Sequence, residues 1–258
     1  CIFSSNLDEF FEIRVAGLKE QIKLNPAMAT PDGLTAQEAH ERVSREAHAL
    51  VAEQYALFNE RLLPELAAEG IHFFRRAQWS AAQSAWIRDY FLRELMPVLT
   101  PIRLDPAHPF PRVLNKSLNF AVELDGKDAF GRHAGIAIVQ APRLLPRVIR
   151  LPAALCGGED GADDKYGFVF LSSILHAFVG ELFAGMKVLG CHQFRITRNS
   201  DLFIDEEEAK NLRIKIQGEL PQRHFGNAVR LEVTDSCPES MADFLLMQSG
   251  LKRGDLYR

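Results

Sequence analysis

Long uncharged apolar runs are missing from this 258-residue sequence. The most apolar stretch, Phe168 to Leu189, is broken by Ser172, Ser173, His176, Glu181 and Lys187. A membrane span needs roughly 20 mostly apolar residues without such charges, so a buried strand followed by a core helix is expected there. Cysteine is scarce. Cys1, Cys156, Cys191 and Cys237 lie far apart and form no CxxC pair, which suits reduced thiols in a cytosolic protein. An excess of positive charge is missing too. Residues 1–100 hold 10 basic and 14 acidic residues, and residues 101–258 hold 20 of each, so neither part has the field that binds a nucleic-acid backbone. No signal segment, internal repeat or low-complexity run is visible.

Local catalytic signatures are also lacking. A phosphate loop needs an open glycine turn followed by lysine and a hydroxyl. The nearest approach, Gly180-Glu-Leu-Phe-Ala-Gly185-Met186-Lys187, puts Met186 in the lysine's place and reads as apolar helix. No GxGxxG occurs, and none of the eight histidines makes an HxxxH pair. Cys191 and His192 are neighbours on an expected strand and so point to opposite faces, a buried thiol beside a surface imidazole. Ser172 and Ser173 lack a GxSxG turn, and His176 lies on an apolar helix face as a core or interface residue.

What is present is an ordinary globular composition, 47% hydrophobic and 25% charged, enough to bury a core without staples. Residues 1–95 read as helices. Leu7, Phe10, Phe11, Leu18 and Ile22 fall at helical spacing, with Asn6 and Glu9 placed as a capping box. Thr35 with Glu38 predicts a second helix start, and Val43, Ala47, Leu50, Val51, Leu57 and Phe58 line one face toward Arg61. Pro64 should kink or restart that helix and Gly70 should stop it. Ser80 with Gln83 opens a third helix through Trp86, Tyr90 and Leu95. Short connections between helices suggest a small antiparallel bundle.

Five of the 13 prolines fall within residues 97–111, where no helix can continue. This predicts a domain boundary: 1–96 helical, 97–258 an α+β domain with a mixed, mainly antiparallel sheet. Beyond the prolines the period becomes two. Strands are expected over 118–124, 136–139, 148–151, 168–170, 188–197 and 229–233, with turns at Asp125-Gly126 and Asn199-Ser200-Asp201. Helices are expected over 172–184, 206–220 and 238–248. The chain opens at Cys1-Ile2-Phe3, inside an apolar stretch, and reads as a piece of something longer.

Two positions invite an anion. A helix start at Asn6 would present free amides, and its side chain could donate to a nucleotide oxygen or ring nitrogen. The stretch Arg195-Ile-Thr-Arg198-Asn199-Ser200-Asp201 offers two arginines, either as an anion-facing loop or as a solvated hairpin turn, and His108 between prolines reads similarly.

The string Ile2-Phe-Ser-Ser-Asn6-Leu-Asp-Glu-Phe-Phe-Glu-Ile-Arg14-Val-Ala-Gly-Leu-Lys19 closely resembles the N-terminal signature of the bacterial polyphosphate kinases, the larger ATP:polyphosphate phosphotransferase type. Leu99-Thr-Pro-Ile-Arg-Leu-Asp-Pro-Ala-His-Pro-Phe-Pro-Arg112, then Asn115-Lys-Ser-Leu, resembles that family's entry into its head domain. Phe194 to Asp201 and Arg223 to Glu232 are similar to head-domain segments. The resemblance implies a four-domain enzyme of which this chain holds two: most of the N-terminal helical domain, lacking its first helices, and a head domain that serves dimerisation and a polymer tunnel. It implies reversible transfer of the terminal phosphate of ATP to polyphosphate through a phosphohistidine. The catalytic histidines and the Mg2+ site would lie in two absent C-terminal domains, leaving no catalytic or metal residue here and an inactive fragment. Asn6 is the one ATP-binding position that transfers. Expected partners are ATP or ADP, polyphosphate and further copies of the chain in a dimer or tetramer, with no nucleic acid and no transmembrane segment. The location would be cytoplasmic, with peripheral membrane association open. A non-catalytic α+β interaction module is the alternative, while an RNA-binding module lacks both positive charge and an aromatic-rich strand motif.

Overall fold

The first helix starts upstream of the position its polar residues suggest. In the computed structural model, which describes residues 2–24, 33–104, 109–126, 135–156, 166–200 and 226–258, α1 (Ile2–Phe10) runs straight through Asn6. A π-helical segment, Phe11–Val15, and α2 (Ala16–Leu24) complete the element. Asn6 is therefore exposed and mid-helix, which corrects the expected N-cap and its box with Glu9. Ile2 and Phe3 carry the helix upstream, and Asn followed three residues later by Glu looks the same inside a helix as at its start. The π segment also re-aims the stripe: Phe11, Val15 and Ala16 are buried, whereas Phe10 is exposed.

The other two caps form as predicted. Thr35 Oγ1 accepts from the Glu38 amide at 3.2 Å, and the Glu38 carboxylate accepts from the Thr35 amide and hydroxyl, each at 2.8 Å. The helix α3 (Ala36–Ala56) follows, then a π segment (Leu57–Leu62) and α4 (Leu63–Ala68), with Pro64 in the first turn of the restart. Gly70 takes φ 78°, a left-handed stop that glycine adopts without strain. Ser80 Oγ accepts from the Gln83 amide at 3.1 Å, and Gln83 Oε1 accepts from the Ser80 amide at 2.9 Å, ahead of α5 (Ala81–Tyr90). A third π segment, Phe91–Leu95, and a 3-10 turn, Met96–Val98, end that helix.

Two compact units make up the chain, and neither is one continuous stretch. The first comprises Cys1–Leu50, Phe110–Ser117 and Phe194–Arg258, and the second Val51–Pro109 and Leu118–Gln193. In the second, β1 (Ile71–Phe73) pairs parallel with β6 (Tyr166–Phe170), which pairs antiparallel with β5 (Val148–Arg150). A second sheet joins β2 (Thr100–Arg103), β4 (Ile136–Ala141) and β3 (Leu118–Asp125), beside which β7 (Lys187–Arg198) begins. Both β1 and β2 went unpredicted. β2 lies at the sheet edge, where Pro101 needs no ladder donor. Ile87, Phe91 and Leu95 pack with Phe120, Val122, Val139 and Leu175 of α6 (Leu171–Phe178) in one core. α6 is shorter than expected: a 3-10 turn (Val179–Leu182) and Gly185 at φ 79° replace its last turns, so the glycine pair sits in a turn rather than a helix.

In the first unit, the end of β7 pairs antiparallel with β8 (Ala228–Val233), with a bulge at Thr197/Arg198. The short β9 (Leu256–Tyr257), also unpredicted, adds parallel to β8. The last helix, α7 (Glu239–Ser249), stops at Gly250, φ 66°. The architecture is a helical N-terminal region followed by a mixed-sheet α+β part. The expected helix over 206–220 lies outside the described residues, as do Cys1 and His108.

Candidate functional site

The first helix has two chemically distinct faces. Facing outward, Asn6, Glu9, Phe10, Ile13 and Arg14 line an open hollow of about 250 Å³. They recur at three- and four-residue spacing, so one side of the helix carries an amide, an aromatic ring and a cation together. Facing inward are Asp8, Phe11, Glu12, Val15 and Lys19. Phe11 and Val15 are buried, and so is Glu12.

Each inward charge has a named partner in the same unit. Arg195 Nη1 and Nη2 donate to Asp8 at 2.9 and 2.8 Å, and Arg230 Nη2 donates to Asp8 at 2.5 Å. Glu12 accepts from Asn115 Nδ2 and pairs with Lys116 Nζ at 3.0 Å, while the Glu12 carbonyl accepts from the Ser200 amide at 3.2 Å. Asn115 is buried, and its Oδ1 accepts from the Arg198 amide at 2.8 Å. Lys19 Nζ reaches Asp255 at 2.7 Å and donates to the Val229 carbonyl at 3.2 Å. Burial pushes the Lys19 ammonium below the usual lysine range, with Asp255 opposing that shift. Segments around residues 6–19, 115–116, 195–200 and 229–232 thus converge on one helix.

This changes the reading of Arg195 and Arg198. Residues 195–198 are strand, one residue past the expected end at 197, and both arginines are half-buried with their guanidinium groups paired. Burial alone would lower the Arg195 guanidinium, but Glu232 and Asp8 outweigh it and hold the pKa above the ordinary arginine value. Arg198 donates to the carbonyls of Val113 and Gly226 at 3.0 and 2.9 Å. His192 is not a surface residue either: its Nε2 lies 3.1 Å from Glu123 Oε1, with the side chain 12% exposed. Burial raises the Cys191 thiol to about 12, far from a reactive thiolate. Among the described residues no three His, Cys, Asp or Glu side chains converge as a metal site, and no helix is long and apolar enough to cross a membrane.

Asp8, Glu12, Asn115, Lys116 and Arg230 were not foreseen as a group. The available signal was Asp8 three residues before Phe11 and Glu12 three before Val15. An acid on the apolar face of a helix demands a buried basic partner.

Comparisons with known proteins place the chain in a family. A family profile described as "Polyphosphate kinase N-terminal domain" matches residues 1–74, and one described as "Polyphosphate kinase middle domain" matches residues 82–258. A protein named polyphosphate kinase from Neisseria meningitidis serogroup C is 60% identical over the whole chain, and one from Burkholderia multivorans is 59% identical. The chain spans 37% of the length of each. The crystal structure of polyphosphate kinase from Porphyromonas gingivalis shares the fold, with TM-score 0.70 at 22% identity over 100% of this chain and 34% of that one. The chain belongs to the polyphosphate kinase family.

Proposed function

We propose that this chain is the N-terminal and head portion of an enzyme that reversibly transfers the terminal phosphate of ATP to polyphosphate through a phosphohistidine. Residues 1–96 form the helical part and 97–258 the head part in this reading, although the family profiles divide earlier, between 74 and 82. A nitrogen nucleophile splits one transfer between two anions into two steps. That chemistry belongs to parts of the intact protein outside this chain. The Mg2+ that neutralises the transferring group would be held by those same parts. The head part serves assembly into a dimer or tetramer, and the intact enzyme works in the cytoplasm.

The observation that carries the nucleotide assignment is the outward face itself. Asn6 is exposed beside Phe10 and Arg14 while its helix is held from the opposite side. An amide side chain both donates and accepts, as the edge of an adenine base requires. An aromatic ring and a guanidinium alongside suit a base and its phosphates.

Asn6→Ala in the full-length enzyme tests this. The KM for ATP should rise about tenfold, equivalent to ~1.4 kcal/mol, with the KM for polyphosphate unchanged. Because Asn6 caps nothing, the melting temperature should hold. An unaltered KM for ATP in the folded variant would remove the assignment.

A further inference from the structure

Two arginines and two carboxylates close a neutral quartet beneath the first helix. Arg195 stands between Asp8 and Glu232 and donates a fork to each, with Nε and Nη2 reaching Glu232 at 2.7 and 2.9 Å. Arg230, 1% exposed, bridges the same two carboxylates through Nη2, at 2.5 and 3.1 Å, and lies 4.5 Å over the Phe11 ring. Desolvating four charges offsets much of their attraction, and apolar side chains of similar volume would join helix to strand about as firmly. What two planar forks add is direction. Apolar contact through Phe11 alone tolerates a rolled helix, whereas a fork bound at both ends does not.

Asp8 is two residues beyond Asn6. At 3.6 residues per turn the two side chains leave the helix roughly 160° apart. Holding Asp8 against the strands therefore turns Asn6 outward. We infer that the double fork of Arg195 is a positioning device that sets the roll of the first helix and hence where Asn6 faces. This rests on Asn6 as a nucleotide contact. Arg195 acts through the helix and touches no substrate.

Arg195→Lys in the full-length enzyme keeps the charge and removes both forks. The KM for ATP should rise about tenfold while kcat and the KM for polyphosphate stay within about twofold. Asn6→Ala, itself expected to raise the KM for ATP, should add nothing in the Arg195→Lys background, because an already misdirected contact cannot be lost again. If Asn6→Ala raises that KM and Arg195→Lys does not, the positioning role is wrong and the nucleotide assignment survives. If Asn6→Ala has no effect in the wild-type background, the nucleotide assignment fails, and this inference with it. A rise in the KM for both substrates together with a lower melting temperature makes the quartet purely structural and overturns the inference. Should Arg195→Lys not fold, Glu232→Gln weakens the Glu232 fork together with its 3.1 Å pair to Arg230 and leaves the Asp8 fork in place, and a rise of about threefold confined to ATP is expected.

Discussion

His176 shows how one side chain responds to its surroundings. It stands on α6 with its ring edge-on to Phe120, centroids 5.5 Å apart. Burial lowers its pKa to about 4, and Arg76 and His192 push the same way. The folded protein therefore holds His176 neutral where the unfolded chain, at about 6.5, takes up a proton. Between those values the unfolded state binds more protons, so stability falls as pH drops from about 6.5 toward about 4. His176→Gln should remove about 1–2 kcal/mol of that acid sensitivity, a figure discounted for the ring's partial exposure. Urea midpoints of wild type and variant at pH 7 and pH 4.5 measure it, and parallel losses in both proteins would rule it out. The sequence was a good guide here, since a lone histidine on an apolar face with no ligand spacing is a core residue more often than a catalyst. It was a poor guide at Arg195, where two arginines near polar residues looked available to an anion. Arg195 is taken by the carboxylates of Asp8 and Glu232 and Arg198 by the carbonyls of Val113 and Gly226, and the partners at Asp8, Glu232 and Val113 are distant in sequence.

Elements were legible where their ends carry chemistry. Ser80 and Thr35 each satisfy a first-turn amide, and the glycine stop at Gly70 was equally readable. Ser80→Ala should destabilise the protein by about 1 kcal/mol, while Asn6→Ala, at an exposed position inside a helix, should be neutral or slightly stabilising. Denaturant midpoints of the two variants make the comparison. A loss of similar size at Asn6 would mean that the helix does begin there. The π segments escaped prediction for a different reason. They begin at Phe11, Leu57 and Phe91, each within a run of adjacent large apolar residues. Such a run can be assigned to either side of a 3.6-residue stripe, and the widened turn decides which member is buried. Here Phe11 goes in and Phe10 stays out. The strands β1, β2 and β9 have two to four residues, too few to show a period, and exist because a partner strand is supplied from elsewhere in the chain.

At the scale of the molecule, the proline cluster marks the end of helix but not the end of cooperation between the parts on either side. Within the second unit, Ile87, Phe91 and Leu95 are each 0% exposed and share a core with Phe120, Val139 and Leu175. Burying three such side chains is worth about 5–9 kcal/mol, comparable to the ~5–15 kcal/mol of net stability that a domain possesses. Gln83 Nε2 also donates to the Leu155 carbonyl at 2.9 Å, and β1 extends the sheet of β5 and β6. A fragment of residues 97–258 forfeits all of this, whereas one of residues 82–258, the span of the middle-domain profile, keeps α5 and loses only β1 from this list. Both lack the first helix equally, so their difference isolates α5. The longer fragment should show a cooperative thermal transition and resist trypsin, and the shorter should bind a hydrophobic dye and unfold without a clear midpoint. Equal behaviour of the two would make residue 96 a folding boundary as well as a compositional one. The composition changes where helix-breaking residues accumulate, but a folding unit ends where buried contacts end, and those run from α5 across the prolines into the sheet.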